Sequence, residues 1–312
     1  GVIRFQTTLT QWVLLLMLIG ISTGCRNQAT AEGFQSLTPV SKPSRSIARP
    51  GNEVGSLTHK GQPRTYVLHT PKSYRSDRPL PIVIAFHGYG SQGKDLAASS
   101  GLNDLADQQG FLVVYPDGLD RRWNLTQSLF SQVDDVGFVS ALIDHLTQIR
   151  AVDSRRIYAM GVSNGGFLVQ RLACESSSRI AAFASVVATL PASLQTNCKA
   201  SRPVSMLMMN GTDDRKVPWQ GGRLSYGEIL SVPASIEFWQ QRNQCKTKAV
   251  VKQAVNDRVD IDRHPNCQAG SEVELVTLKG VGHLFPRGGS GPNSLINGSE
   301  EIWTFFQRHP LK

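Results

Sequence analysis

Several protein classes are excluded by what this chain has little of. No apolar run approaches the roughly 20 residues that a membrane-spanning helix needs; the longest apolar stretch, residues 12–21, is about half that length. There is no internal repeat, no coiled-coil heptad and no second block of composition, which argues against solenoids, fibres and multidomain arrays. Charge is modest: 33 basic against 24 acidic residues give a net +9. The basic residues form no dense run with interleaved aromatics, so a nucleic-acid partner is not expected. A solvated surface without a macromolecular partner, and hence a monomer, is the expectation; long-range attraction to anionic envelope polymers or acidic polysaccharide is the other reading. Cysteine is scarce, five in all, and no spacing is that of a zinc site, so a zinc ion is not expected.

What is present is a serine in a particular setting. Ile157 to Met160 is short and apolar, as a buried strand is, and Phe167 to Ala173 continues with helical spacing. Between them lies Gly161-Val162-Ser163-Asn164-Gly165. A serine between glycines at a strand-to-helix turn has the form of a nucleophile elbow. The turn is so tight that side chains two before and two after the serine would collide. It also leaves the Asn164 N–H at a helix N-terminus, free to bind an oxyanion. A glycine-rich turn holding an ordinary serine is the bland alternative.

A nucleophile needs a base, and the base an orienting acid. The strand-like Val204 to Met209 ends in Asn210-Gly211-Thr212-Asp213-Asp214, and a carboxylate past the end of a buried strand sits where an open α/β sheet places its functional groups. Asp213 and Asp214 compete for that role, and either is also a normal turn residue. Three histidines follow. His264 lies in a polar stretch and His309 at the chain end. His283 follows the strand-like Val273 to Leu278 on a glycine-rich loop, where it can reach Ser163 as general base. The most strand-like run, Leu80 to Phe86, leads into His87-Gly88-Tyr89-Gly90, which makes the Tyr89 N–H the second oxyanion donor. His87 reads as a structural residue beneath that loop. Asp134-Asp135 opens a helix to about Gln148 as cap and dipole partner. Trp123 either lines the acyl pocket or covers the core.

Many short motifs, taken in order over about 60–310, resemble the polyhydroxybutyrate depolymerase-like and feruloyl esterases of the α/β-hydrolase superfamily. They include His87-Gly88-Tyr89-Gly90, Arg122-Trp123-Asn124, Asp134-Asp135-Val136-Gly137-Phe138, Gly161 to Gly166, Gly211-Thr212 to Val217-Pro218, and Gly282-His283 to Pro286. The resemblance implies an α/β-hydrolase fold, a mostly parallel sheet with helices on both faces. It implies a Ser163–Asp214–His283 carboxylic ester hydrolase without cofactor, Asp214 being the acid at the family's spacing. Phe285 stands where the family often has Trp and joins Trp123 as a substrate-binding residue; Asn210 stands where it often has His. Only about one helix follows His283 in this sequence, and an appended polymer-gripping domain is not expected. Feruloyl-type esters, small and soluble or polysaccharide-linked, are therefore expected over crystalline polyester, with hydroxyalkanoate oligomers as the alternative. A serine peptidase of this fold and a non-catalytic envelope binder are the remaining readings.

The N-terminal apolar stretch is of signal-peptide size and ends in Ser22-Thr23-Gly24-Cys25. Small residues before a cysteine resemble a bacterial lipoprotein signal, with lipid on Cys25 as the sole membrane attachment; Ser22 stands where an aliphatic is usual, and free secretion is the alternative. Gly1 in place of an initiator Met is expected to mark a start that is not native. The expected organisation is a signal at 1–24, a polar tether at 25–55 and a catalytic domain at 56–312. In an exported chain Cys174, Cys198, Cys245 and Cys267 allow three pairings. Proximity and the family pattern favour Cys174–Cys198 and Cys245–Cys267.

Overall fold

Apolar runs without alternation become the middle of one sheet, because strands buried on both faces need no polar side. The computed structural model describes residues 48–125, 133–246, 251–289 and 295–312. Twelve strands occur there: β1 (Gly51–His59), β2 (Gln62–Thr70), β3 (Leu80–Phe86), β4 (Leu112–Pro116), β5 (Val152–Val162), β6 (Ala182–Val186), β7 (Ser205–Gly211), β8 (Gly222–Leu224), β9 (Gly227–Ile229), β10 (Val251–Asn256), β11 (Val259–His264) and β12 (Val273–Leu278). Ten of them form one sheet in the order β1-β2-β4-β3-β5-β6-β7-β12-β11-β10, and β8 and β9 pair separately. Neighbours from β4 to β12 run parallel. Antiparallel strands flank them on both sides.

Seven α-helices occur among the described residues: α1 (Gly93–Ser99), α2 (Leu102–Gln109), α3 (Asp135–Ile149), α4 (Asn164–Glu175), α5 (Ala192–Asn197), α6 (Val232–Arg242) and α7 (Gly298–Gln307). One core packs α3, α4 and α6 on the sheet through Leu142, Phe167, Leu168 and Trp239. The other packs α1, α2 and α7 through Leu96, Leu105, Ile302 and Phe306. This is the three-layer arrangement expected from the sequence, with β3, β5, β7 and β12 ending near the same site.

The boundary expected at residue 56 moves. β1 begins at Gly51 and pairs with β2 along its whole length, so residues 51–55 are strand and not tether. The signal, Cys25 and most of the tether lie outside the described residues. Among the described residues no helix is long and apolar enough to cross a membrane. Both favoured disulfides are present, Cys174–Cys198 and Cys245–Cys267. Each closes a loop of twenty-odd residues, worth about 3 kcal/mol in the chain-entropy account.

Candidate active site

The elbow is built by steric exclusion. Ser163 adopts φ 55°, ψ −117°, a conformation that a non-glycine residue holds only when its surroundings enforce it. Its N–H donates to Val186 O at 2.8 Å, and its carbonyl accepts from Phe167 N at 3.0 Å to start α4. A Cβ on Gly161 would stand 2.2 Å from Gly165 O; one on Gly165 would stand 2.3 Å from Phe86 O. The two glycines therefore let β5, α4 and the end of β3 close on one another around the serine.

His283 Nε2 lies 2.9 Å from Ser163 Oγ, and His283 Nδ1 lies 2.7 Å from Asp214 Oδ2. The other carboxylate oxygen of Asp214 accepts from the N–H groups of Lys216 and Val217 at 2.8 and 2.9 Å. Burial alone would raise the pKa of Asp214, but His283 and these N–H groups outweigh it and hold the carboxyl below its usual range. Asp213 is exposed, and its carboxylate accepts from the neighbouring Thr212 Oγ1 at 3.1 Å. Its N–H donates to Val281 O, which ties the acid loop to the histidine loop. A Cβ on Gly211 would meet Val281 O at 2.2 Å, so a glycine permits that approach. The other histidines stand apart: His264 pairs with Gln240, and His309 with Glu272.

Gly88 packs against the serine, since a Cβ there would stand 3.6 Å from Ser163 Cβ. The N–H groups of Tyr89 and Asn164 have no hydrogen-bond partner among the described residues. Asn164 is the first residue of α4, where no intrahelical acceptor exists. His87 is fully buried beneath this loop; its Nδ1 bonds Gly88 O at 2.7 Å and its Nε2 accepts from Gly118 N–H at 3.0 Å. Burial lowers its pKa, which fits a neutral ring with Nδ1–H as donor.

A cavity of about 590 Å³ opens beside Ser163, and Tyr89, Trp123, Asn164, Lys216 and Tyr226 are among its walls. Trp123 belongs to the core and also reaches the cavity. Its ring is 3% exposed and packs edge-on against Phe86, its indole N–H donates to His87 O, and it still forms part of the cavity wall. Phe285 does not line this cavity. It packs into the second core against the start of α7, where a Cβ on Gly298 would touch it at 3.3 Å.

Two positioning features escaped sequence reasoning. The Asn164 side-chain oxygen accepts from Trp123 N–H at 2.6 Å, which locks the cavity wall to the elbow. Asp135 does more than open α3. Fully buried, it accepts from Arg64 at 2.7 Å and from Asn124 N–H at 2.7 Å, and the Arg64 guanidinium lies 3.8 Å over Phe138. The capping role belongs to Asp134, which accepts from Gly137 N–H. The only signal for this network was the recurrence of Arg122-Trp123-Asn124 with Asp134-Asp135. Among the described residues no group of three or more His, Cys, Asp or Glu is arranged to hold a metal.

Residues 64–249 match the family described as Esterase PHB depolymerase. That span holds Ser163 and Asp214 and stops short of His283, whose place rests on the geometry above. NocK of Nocardia uniformis subsp. tsuyamanensis, named as a candidate esterase, is 27% identical over 283 residues, 83% of this chain and 80% of its own. Feruloyl esterase B of Piromyces equi is 26% identical over 239 residues, 73% of this chain; the chain spans only 44% of that enzyme's length. Among solved structures, the acetyl xylan esterase from Aspergillus awamori superposes with a TM-score of 0.57 at 14% identity, over 82% of this chain and 99% of that one. At such identity the likeness is one of fold.

Proposed function

The chain belongs to the Esterase PHB depolymerase family, and from that premise we propose that it is an exported serine carboxylic-ester hydrolase, with Ser163 as nucleophile, His283 as general base and acid, and Asp214 as its orienting group. The observation that carries the reading is the unbroken line Asp214–His283–Ser163, with links of 2.7 and 2.9 Å, ending at a cavity.

The chemistry follows from that line. His283 Nε2 takes the hydroxyl proton as Ser163 Oγ attacks the ester carbonyl carbon. Asp214 holds the imidazole in the Nδ1–H tautomer and stabilises the imidazolium. The N–H groups of Tyr89 and Asn164 receive the oxyanion. The tetrahedral adduct collapses, the C–O bond breaks, and His283 returns the proton to the departing alcohol. Water then attacks the acyl-enzyme with His283 again as base, releasing the acid and regenerating Ser163.

For the acyl group, the rings of Tyr89, Trp123 and Tyr226 around the cavity support a cinnamoyl-type substrate, small or polysaccharide-linked. The matched family's own description favours hydroxyalkanoate oligomers as the second reading. Two disulfides support an oxidising compartment, hence export. A lipid on Cys25 rests on the residues before it. The test compares initial rates on methyl ferulate and on a soluble 3-hydroxybutyrate oligomer, with Ser163→Ala as blank. The variant is expected to lose roughly 10⁶-fold in kcat. Preference for ferulate supports the first acyl class and preference for the oligomer the second; parent-like activity in Ser163→Ala would refute the nucleophile.

A further inference from the structure

Beside the cavity that holds Ser163 lies a second one of about 260 Å³. Leu125 and Tyr226 line both, so these two side chains are the wall between them. Behind the wall the surfaces are mainly apolar: Phe167, Pro191, Ala192 and Ile229. The space is roughly nine times the liquid share of one water molecule, enough for an alkyl chain.

The wall is thin on one side. Tyr226 sits at the tip of the β8–β9 hairpin, two three-residue strands that pair only with each other in the sheet sense. The base of the hairpin is pinned, through the Pro191–Ile229 bridge and the Leu230 N–H to Leu190 O bond. At its tip, among the described residues, the Tyr226 ring packs on the buried Phe167 at 5.4 Å and 64°. Tyr226 is 43% exposed, whereas Phe167 beneath it is fully buried.

We infer that the second cavity is an apolar acyl-tail subsite and that Tyr226 is the partition that sets how long an acyl chain the enzyme accepts. The inference rests on the esterase reading of Ser163. The acyl side is chosen because the first cavity is lined by Tyr89 and Asn164, the proposed oxyanion donors, and not by His283, which hands its proton to the alcohol. The ligand class is therefore a medium-length aliphatic acyl group, or an aryl acyl group bearing an alkyl extension.

The test is an acyl-length series of p-nitrophenyl esters, from acetate to decanoate, run on the parent, Tyr226→Ala, Tyr226→Phe and Tyr226→Ala/Ala192→Leu. Tyr226→Ala is expected to raise the long-to-short ratio of kcat/KM by about fourfold for each methylene that enters the subsite. Tyr226→Phe keeps the ring and hence the parent's ratio, whatever its absolute rate. Ala192→Leu fills the subsite, distant from the serine, and is expected to reverse the gain. A companion series varying only the alcohol should not respond. If Tyr226→Ala proves unfolded in a melting scan, Leu125→Ala thins the same wall and is read in its place. A Ser163-dependent profile whose ratio ignores Tyr226, or a gain that Ala192→Leu leaves intact, overturns the subsite alone. Hydrolysis that persists in Ser163→Ala at every length overturns the esterase reading and the subsite with it.

Discussion

Asp213 and Asp214 are chemically identical neighbours, and the fold gives them opposite environments. Asp214 is buried, with both oxygens engaged; Asp213 is exposed. Asp214→Asn is expected to lower kcat by about 10⁴, because an amide favours the wrong imidazole tautomer, whereas Asp213→Asn should stay within a few-fold. Steady-state kinetics on one ester decides between them; equal losses would reject the assignment. The depressed pKa of Asp214 carries a sign: its stabilising effect is present above 3.8 and fades only as pH falls through its lower folded value. The carboxylate therefore stays charged through the neutral range. Residue chemistry alone left the two acids equivalent, since a turn of adjacent carboxylates does not state which one faces inward; the spacing of the family motif separated them. Ser163 and His283 were legible because glycines on either side of one, and the end of a strand before the other, are backbone requirements. The Asn164 side chain was not legible, because its partner is a backbone N–H 41 positions earlier and no local pattern marks such a bond.

Among the elements, legibility followed burial. β3 begins and ends where a continuous apolar run does, since a strand covered on both faces has few polar positions to blur it; β12 keeps its apolar ends although Glu274 and Thr277 interrupt the run. β1 fails this test: it is a polar edge strand, largely exposed, and its first residues read as tether. The β8–β9 hairpin escaped because three-residue strands carry no usable period. The elbow is the element on which the site depends most, and its tolerance is narrow. A methyl group at position 165 would meet both Phe86 O at 2.3 Å and His87 O at 2.7 Å, backbone atoms at the end of β3 that lead into the Tyr89 loop. Gly165→Ala must therefore push α4 away from that loop and separate the two proposed oxyanion donors. A displacement near 1 Å costs about 10²-fold in rate. The expected outcome is a kcat lowered by that order with the far-UV dichroism spectrum of the parent; an alanine variant with parental kcat would show that the close approach is not required.

Across the whole molecule, the sheet is fastened to α7 by carboxylates that are buried and unequal. Glu274 on β12 is fully buried. One of its oxygens accepts from Arg308 at 2.7 Å and from Arg263 at 3.0 Å, and the other has no partner among the described residues. Burial, helped by the nearby Glu301 and Glu272, outweighs both guanidinium groups and pushes its pKa up to about 8. Glu272 goes the other way, to about 2: burial opposes ionisation there too, but His309 and Arg308 prevail. One carboxyl thus keeps its proton at neutral pH while its neighbour is charged. For Glu274 the folded pKa lies above the ordinary 4.5, so between 4.5 and about 8 the folded protein binds more protons than the unfolded chain, and stability falls as pH rises. Glu274→Gln is neutral throughout and lacks that fall. Melting temperatures measured across this window should show the variant gaining on the parent as pH rises, by roughly 2–4 °C for each kcal/mol of ionisation penalty removed. Parallel curves would mean that Glu274 is already ionised at its arginines, and that the link between β12 and α7 is an ordinary ion pair. Since β12 also leads into the His283 loop, the same pH series followed by activity tests whether loosening this fastening reaches the proposed triad. With the sheet end still packed by Ile302, Phe305 and Phe306, kcat is expected to change less with Glu274→Gln than the melting temperature does.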